Sequence, residues 1–360
     1  MSESIIELIL AEQETMTPSN LIKELSEADS DSWDLFVDAH SDATFFHRSK
    51  WKTVIKQAFG HDTYYLYAEN SEGIQGVLPL VHIKSLLFGN TLSSMPFCTS
   101  GGIVANTFEA QLGLTNAAEK LARKLGVDCL EMRNLKPQHK GWPCKDDLYV
   151  NFSKEIDPDP EVNMNAIPRK QRAMVRKAIK AGLVGTIDHN VERFYEAYAR
   201  SVHALGTPVF SKEYFRILKD TFGKDCDILT ITKDGELVAS VMSFYFRDQV
   251  LPYYGGGTSL ARNVKGNDFM YWDLMCKAAD RGVRIFDYGR SKKGTGSYSF
   301  KKNWGFEPVP LHYEYFLVNA KEIPDINPLN PKYQLFIKMW KKMPFEMTKK
   351  IGPHIVKNLG

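Results

Sequence analysis

The stretch DILTITKDGELVASVMSFYFRDQVLPYYGGG, residues 227–257, decides the fold, because it is typical of three consecutive strands. Turn-forming pairs at Asp234-Gly235 and Arg247-Asp248 separate the strands. The helical pattern FMYWDLMCKAADRG and the strand pattern VRIFDYG follow and end at Gly289. This order of elements predicts a mixed central sheet with helices packed against it, which is an α/β (α+β) architecture.

A second copy of the same plan precedes it between residues 64 and 133. Strand patterns lead into the helical stretch FEAQLGLTNAAEKLARKLG, which should end at Gly126, and VDCLEMR then predicts another strand. The repetition indicates an internal duplication, although strand, turn, strand, helix and strand is also a common order. We place the boundary near residue 165, which gives domains over 1–165 and 166–360.

The composition fits a chain of two ordinary domains. It has 360 residues, of which 43% are hydrophobic, and a formal net charge of only +3, so the overall charge does not indicate a nucleic-acid binder.

The first 20 residues lack the basic start of a signal peptide, and no run of 18 apolar residues occurs, which predicts a cytoplasmic protein. Five cysteines without a C-x-x-C pair, and the absence of metal-binding motifs, predict no metal.

The densest functional signal is FDYGRSKKGTGSYSFKKNWGF, residues 286–306. Glycines and cations at the end of a strand suit an anion, and the cations are Arg290, Lys292, Lys293, Lys301 and Lys302. We expect no helix after the G-x-G of this segment, so no nucleotide-binding motif is predicted. The alternative is a solvated hairpin tip, since Tyr298, Phe300, Trp304 and Phe306 alternate as in a strand.

Three glycines after two tyrosines, in PYYGGG, predict a backbone placed close to a ligand or to another strand. Either Asn267 or Asp268 could cap the helix that follows. Arg262 and Gly266 match the acetyl-CoA signature Q/R-x-x-G-x-G/A only loosely, because their spacing differs.

Two basic segments complete the pattern. The predicted helix IPRKQRAMVRKAIKAG carries Arg169, Arg172 and Arg176, which either bind phosphate or form a solvated face. Residues 331–360 interleave lysines with apolar side chains, so they either rest on an anionic membrane or pack on the domain with lysines facing water.

Taken together, these motifs resemble the FemAB branch of the GNAT acyltransferase superfamily over roughly residues 40–350. The stretches that carry the likeness are GVLPLVHIKSLLFG, SSMPFCTSGG, LEMRN, LGTPVF, YYGGG, NDFMYW, FDYGRSKKGTGSYSFKKNWGF and IGPHIVKNLG. The resemblance is strongest to FemAB-like proteins associated with exosortase and PEP-CTERM exopolysaccharide clusters.

The resemblance implies two GNAT-like halves with a substrate cleft between them and an acyl donor on the splayed strands of the second half. It implies that Tyr253 and Tyr254 line a central strand and that Lys301 contacts the donor phosphate or the oxyanion. The donor would be acyl-CoA, acyl carrier protein or aminoacyl-tRNA. The acceptor would be the amine of a lipid-linked saccharide or peptide precursor.

Amide formation from an ester or thioester requires a neutral amine and help for the developing oxyanion. We expect Tyr254, Asp287 and Lys301 to be catalytic, with Asp268 as a further proton acceptor. The substrate-binding candidates are Arg133, Tyr253, Gly255, Gly256, Asn267, Asp268, Arg290, Lys292, Tyr298 and Lys302. For Arg133 the alternative is an ion pair with a nearby acid.

Three functions remain open at this point. The first is an N-acyltransferase acting on a cell-envelope or exopolysaccharide precursor, and the second is an aminoacyl-tRNA-dependent peptidyltransferase. The third is a non-catalytic GNAT-like scaffold in polysaccharide synthesis.

Overall fold

The computed structural model describes residues 20–85, 88–324 and 331–359. These residues form two mixed β-sheets with helices packed against them. The predicted mixed α/β class is therefore confirmed. Residues 1–19, on which the signal-peptide expectation largely rests, and residue 360 lie outside the described residues.

The first sheet has the strand order β1-β2-β3-β4-β6-β15-β7, and β5 pairs with β3 at its side. Its strands are Leu21–Glu24 (β1), Asp62–Asn70 (β2), Gly73–Ser85 (β3), Gly89–Ser94 (β4), Val104–Ala105 (β5), Cys129–Asn134 (β6), Cys144–Lys145 (β7) and His312–Leu317 (β15).

The second sheet has the order β14-β8-β13-β12-β11-β10-β9. Its strands are Tyr149–Glu155 (β8), Val184–Asp188 (β9), Cys226–Lys233 (β10), Glu236–Phe246 (β11), Gln249–Gly257 (β12), Ile285–Lys292 (β13) and Pro308–Pro310 (β14).

The α-helices lie on the faces and at the ends of these sheets. They are Ser30–Ala39 (α1), Lys50–Phe59 (α2), Phe108–Leu125 (α3), Pro160–Ala166 (α4), Arg169–Lys180 (α5), Glu192–Leu205 (α6), Lys212–Phe222 (α7), Ser259–Val264 (α8), Gly266–Asp280 (α9), Gly296–Asn303 (α10), Pro331–Lys342 (α11) and Phe345–Val356 (α12).

The helix ends follow from local chemistry. The Thr107 side chain accepts a hydrogen bond from the Ala110 N–H and so caps α3, which ends at Gly126 in the left-handed conformation, with φ of 61°. The end of α3 therefore lies where the sequence predicts it.

The two sheets exchange strands with respect to chain order. Strand β8 precedes residue 165 yet belongs to the second sheet, where it pairs with β13. Strand β15 follows the second repeat yet pairs with β6 of the first sheet over His312–Leu317. A domain boundary near residue 165 stays a prediction, but a cut there would not separate the two sheets.

One hydrophobic core spans both halves. Phe45 of the first half stacks on Phe244 of β11 with ring centroids 4.7 Å apart, and it contacts Phe222 of α7 at 4.6 Å. Trp51 of α2, fully buried, lies 5.2 Å from Phe222. The two halves are therefore packed into one body through aromatic side chains.

The segment after the G-x-G differs from its prediction. Residues Gly296–Asn303 form helix α10, which the Thr295 hydroxyl caps by accepting from the Tyr298 N–H at 3.4 Å. Both the expectation that no helix follows the glycines and the strand-like alternation are wrong. The aromatic rings explain the misleading pattern, because Phe300 and Trp304 pack around the buried Tyr288 ring on one side of α10.

Candidate functional site

Strands β12 and β13 separate along their length and open a wedge in the second sheet. They run parallel and pair only through Gln249 with Ile285 and Val250 with Phe286. Strand β12 nevertheless continues to Gly257, and β13 continues to Lys292. Beyond these two pairs, the backbone groups of β12 and β13 that face each other form no strand pairing.

Tyr253 and Tyr254 lie on β12 where this wedge begins. The Tyr253 hydroxyl donates to the Phe97 carbonyl of the first half at 2.9 Å. The hydroxyls of Tyr254 and Tyr214 lie 2.8 Å apart, and burial raises the pKa of Tyr254 well above its ordinary value. Tyr254 therefore stays protonated near neutral pH, so it can donate a hydrogen bond but is a poor base.

Two of the three glycines at the end of β12 lie against helices. A Cβ on Gly256 would lie 2.7 Å from the Cβ of Ser201 and 2.9 Å from the Ala197 carbonyl oxygen, both on α6. A Cβ on Gly257 would meet Asn267 Oδ1 at 2.8 Å, whereas one on Gly255 would meet nothing closer than 3.4 Å. The close approach at Gly256 is thus to a helix rather than to another strand.

Asp287 on β13 is partly buried, and two neighbours hold its carboxyl group. Its Oδ1 accepts from Asn151 Nδ2 at 3.0 Å and from the Gly289 N–H at 2.8 Å. Burial raises the pKa of Asp287, while these two hydrogen bonds oppose the rise. Because both bonds go to Oδ1, the second oxygen is left for another group.

The Lys301 side chain, on α10, is buried against strand β13. Its Nζ donates to the carbonyl oxygens of Gly289 and Arg290, each at 3.0 Å. Burial lowers the pKa of Lys301 to about 7, and the nearby Asp287 opposes this effect. In this arrangement Lys301 fixes the backbone at the end of β13, and its role toward a donor stays a prediction.

The Arg290 guanidinium lies between the two sheets. Its Nη1 donates to the Tyr313 hydroxyl at 2.8 Å, and its Cζ lies 4.7 Å from the centroid of the Tyr149 ring. Among the described residues it forms no ion pair with a carboxylate. A largely enclosed cation without a counter-ion favours an anionic ligand.

Arg133 occupies the corresponding place in the first half, but it is neutralised. Its guanidinium contacts Glu131 Oε2 at 3.0 Å and donates to the Cys98 carbonyl at 3.0 Å. The ion pair that the sequence left as an alternative is therefore present. Arg133 supports the loop that follows β4, in which Met95 and Phe97 adopt positive φ angles of 53° and 67°.

A pocket of about 790 Å³ opens where β12 ends and α9 begins. Its lining comes largely from α6, α8, α9, α10 and α12 and includes Arg200, His203, Arg262, Lys265, Asn267 and Phe345. Arg200 pairs with Glu196, whereas Arg262 and Lys265 form no ion pair within the part of the chain that the structure describes. The pocket therefore suits an anionic ligand.

Asp268 lies at the same pocket but does not cap a helix. It stands in the first turn of α9, and its Oδ1 accepts a hydrogen bond from Gln171 of α5. Lys265 precedes the helix and Asn267 lies exposed in its first turn, and no side chain caps it, so the predicted capping role is wrong. Burial raises the pKa of Asp268 to about 6.

The remaining predicted residues lie at the margins of this region. The Tyr298 ring packs on Phe152 at 5.5 Å, Lys292 is half-buried at the end of β13, and Lys302 is exposed on α10. The three predicted phosphate ligands line one depression of about 600 Å³ along α5, and they are Arg169, Arg172 and Arg176. Arg172 is already engaged with the Asn165 and Ile167 carbonyl oxygens.

Sequence reasoning missed Tyr313, Tyr214 and Arg200. Tyr313 lies in β15, far from either repeat in the sequence, yet its hydroxyl joins Arg290 to the Thr99 carbonyl. Its place in HYEYFL carries only an ordinary strand signal. Tyr214 and Arg200 lie on α7 and α6, whose amphipathic patterns indicate packing rather than a site.

The described residues form neither a metal-binding cluster nor a helix able to span a membrane. No three of their His, Cys, Asp or Glu side chains come together in a way that could hold a metal ion. Within the same ranges, every helix is too short or too polar to cross a bilayer.

Comparisons with known proteins agree with this geometry. Residues 169–302 match the acetyltransferase (GNAT) domain model, and no curated protein matches the chain significantly. The crystal structure of FemX aligns with a TM-score of 0.65 at 15% identity, covering 88% of this chain and 100% of FemX.

Two other solved structures show the same architecture. A tandem GNAT protein from the clavulanic acid biosynthesis pathway aligns with a TM-score of 0.54 at 12% identity, covering 82% of this chain and 97% of that protein. L-PGS from Bacillus licheniformis aligns with a TM-score of 0.51 at 12% identity, covering 89% of this chain and 99% of that protein. The chain therefore has the fold of tandem GNAT proteins, and residues 169–302 within it match a GNAT acetyltransferase domain.

Proposed function

We propose that this protein is an N-acyltransferase that moves an acyl or aminoacyl group from an activated ester or thioester to an amine. The observation that carries the proposal is the wedge between β12 and β13, which opens beside a cation-lined pocket. Such an arrangement holds an anionic donor while its carbonyl carbon enters the wedge, where backbone groups lack strand partners. The acceptor would be a cell-envelope or exopolysaccharide precursor, as the family resemblance implies.

The chemistry needs no covalent enzyme intermediate. The neutral amine attacks the carbonyl, the backbone N–H groups facing the wedge stabilise the oxyanion, and the thiol or alcohol leaves. The partly buried Arg290 adds positive charge nearby, and Lys301 holds the carbonyl groups that place Arg290.

The proton released by the amine needs an acceptor near the wedge. We propose Asp287, because its raised pKa and its second oxygen suit a general base. Asp268, with a pKa of about 6 at the pocket, is the alternative acceptor. Tyr254 is better suited to donate a hydrogen bond to the substrate.

The pocket makes the proposal testable by ligand binding. Native mass spectrometry and calorimetry should be run with acetyl-CoA, longer acyl-CoAs, acyl carrier protein and charged tRNA. We expect Arg262→Ala to weaken binding of the active donor by about three- to tenfold. Lys124→Ala, an exposed cation on α3, is the matched control and should bind normally. If the protein bound none of these donors, the result would contradict the proposal and favour a non-catalytic scaffold.

A second candidate, an aminoacyl-tRNA-dependent peptidyltransferase, is favoured by helix α5. Arg169, Arg176, Lys177 and Lys180 line its depression and form no ion pair within the described chain. A cluster of cations without ion-pair partners attracts a phosphate backbone. If tRNA is the donor, Arg176→Ala should weaken its binding and reduce the salt dependence, while leaving any acyl-CoA affinity unchanged.

A further inference from the structure

We propose that helices α11 and α12 dock this protein on an anionic lipid surface and thereby bring its pocket to lipid-linked molecules. The docking itself rests on the surface of the two helices. The statement that the acceptor amine is lipid-linked rests also on the proposed function.

The outward face of the two helices is apolar. On α11, Leu335 and Met339 are each 62% exposed and Phe336 is 36% exposed, and on α12 Met347 and Ile351 are 47% and 36% exposed. Residues four apart lie on the same side of a helix, so Leu335 with Met339, and Met347 with Ile351, form continuous stripes. Grouped exposed apolar side chains mark an interaction surface, whereas scattered ones do not.

The same face is strongly basic. Residues 331–359 contain seven lysines and one acid, Glu346, which is paired with Lys349 at 2.7 Å. Lys338 and Lys342 on α11 and Lys350 on α12 are exposed and form no ion pair within the described chain. Their aliphatic stems can lie along apolar surface while the ammonium groups reach lipid phosphates. This charge favours anionic lipid over an apolar protein surface.

The opposite sides of the helices are fixed to the domain. Trp340 is 2% exposed, and α11 packs so closely on Gly206 that a Cβ there would lie 2.7 Å from Ile337. Gly352 of α12 packs on Val209, and His203 Nε2 lies 3.1 Å from the Met343 carbonyl oxygen. The apolar side chains therefore belong to a rigid surface, and no rearrangement is needed to present them.

The helix pair also forms a wall of the candidate donor pocket. Phe345, the first residue of α12, lines the pocket beside His203, and the Arg200 guanidinium lies 5.0 Å from the centroid of its ring. A bilayer bound by α11 and α12 would thus lie next to the pocket. This geometry would suit an acceptor whose amine is carried on a membrane-anchored molecule.

The test is sedimentation of the full chain with vesicles, which does not require enzymatic activity. Vesicles of equal parts phosphatidylcholine and phosphatidylglycerol should bind the protein, and phosphatidylcholine alone should bind at least tenfold less. Binding should weaken as salt is raised. Lys338→Ala combined with Lys342→Ala should reduce binding to the anionic vesicles about three- to tenfold.

A second variant isolates the apolar contribution. Leu335→Asp combined with Met339→Asp should lose at least tenfold in vesicle affinity, while its circular dichroism and melting temperature stay close to those of the parent. Leu35→Asp, at a site 71% exposed on α1, is the matched control and should bind as the parent does.

Three results would overturn the proposal: no binding to anionic vesicles, equal binding by all variants, or a concentration-dependent dimer that the Leu335/Met339 variant abolishes without vesicle binding. The last would assign the face to a second copy of the chain. Because sedimentation is independent of donor binding, a failed donor assay would leave this result standing.

Discussion

The Tyr313 hydroxyl, in the first sheet, accepts a 2.8 Å hydrogen bond from the Arg290 guanidinium in the second sheet. Tyr313 in turn donates to the Thr99 carbonyl at 2.7 Å, so the guanidinium is oriented by a neutral chain of hydrogen bonds rather than by a carboxylate. We expect its charge to be available to an anionic ligand. This contact joins the two sheets beside the wedge and makes Arg290 the residue on which the site depends most directly.

Arg290→Lys should lower kcat/KM for acyl transfer at least about tenfold, or about 1.4 kcal/mol, because an ammonium cannot reproduce the planar guanidinium fork. The measurement is steady-state kinetics with the donor identified by binding. Arg284→Lys, an exposed arginine paired with Asp248 one residue before β13, should keep full activity. Equal activity in both variants would remove Arg290 from the site.

Lys301→Met should destabilise the fold by about 1–3 kcal/mol, because it removes the donor to two carbonyl groups of β13. If Lys301 contacted the donor, as the family resemblance implies, Lys301→Ala would fold normally and lose at least about tenfold in transfer. The structure instead predicts losses of both stability and activity. Urea unfolding measures the first, and Lys302→Met, exposed on the same helix, is the control.

The same lysine should make stability pH-dependent. Its pKa falls from 10.5 to about 7 on folding, so the unfolded chain binds more protons between these values. The free energy of unfolding should therefore rise with pH from about 7 toward 10. In Lys301→Met this rise should be smaller, and an identical pH profile would contradict the buried position of Nζ.

Asp268→Asn should have the opposite pH signature. Burial raises the pKa of Asp268 from 3.8 to about 6, so the folded chain binds more protons in this range and loses stability as pH rises through it. The variant should abolish that loss, as measured by urea unfolding at about pH 4 and pH 7. It should also bind an anionic donor about two- to tenfold more tightly, since a negative charge leaves the pocket. Asp280→Asn, exposed on α9, should change neither property.

Gly256→Ala and Gly255→Ala form a matched pair. A Cβ at Gly256 would lie 2.7 Å from Ser201 on α6, so this variant should lose about 1–3 kcal/mol of unfolding free energy. A Cβ at Gly255 would have only ordinary contacts, the nearest at 3.4 Å, so that variant should fold normally. Thermal unfolding measures both, and equal melting temperatures would show that α6 can shift away from β12.

Much of the fold could be predicted because its signals are local. The turn pairs, the C-terminal glycine of α3 and the strand patterns of both repeats are encoded within a few residues of where they act. The exchange of β8 and β15 could not be predicted, since strand pairing over such sequence distances leaves no local pattern. Helix α10 was missed because its aromatic residues pack on one side at a spacing that also suits a strand.

The candidate site, like the fold, could be predicted only in part from the sequence. Residues on the strands that form the wedge were recognisable from glycine, aromatic and cationic composition. Their partners were not, because Tyr313 and Thr99 come from the other sheet and Gln171 from a distant helix. The burial that lowers the pKa of Lys301 and raises that of Asp268 likewise depends on packing, which composition does not reveal.

The strand exchange has a consequence for synthesis on the ribosome. Strand β6 acquires its neighbour β15 only when residues 312–317 have emerged, long after the rest of the first sheet is complete. During that interval one edge of β6 is open to pairing with other nascent chains, a situation that promotes aggregation. Recombinant production should therefore benefit from slow translation at low temperature and from chaperones that shield unpaired strands.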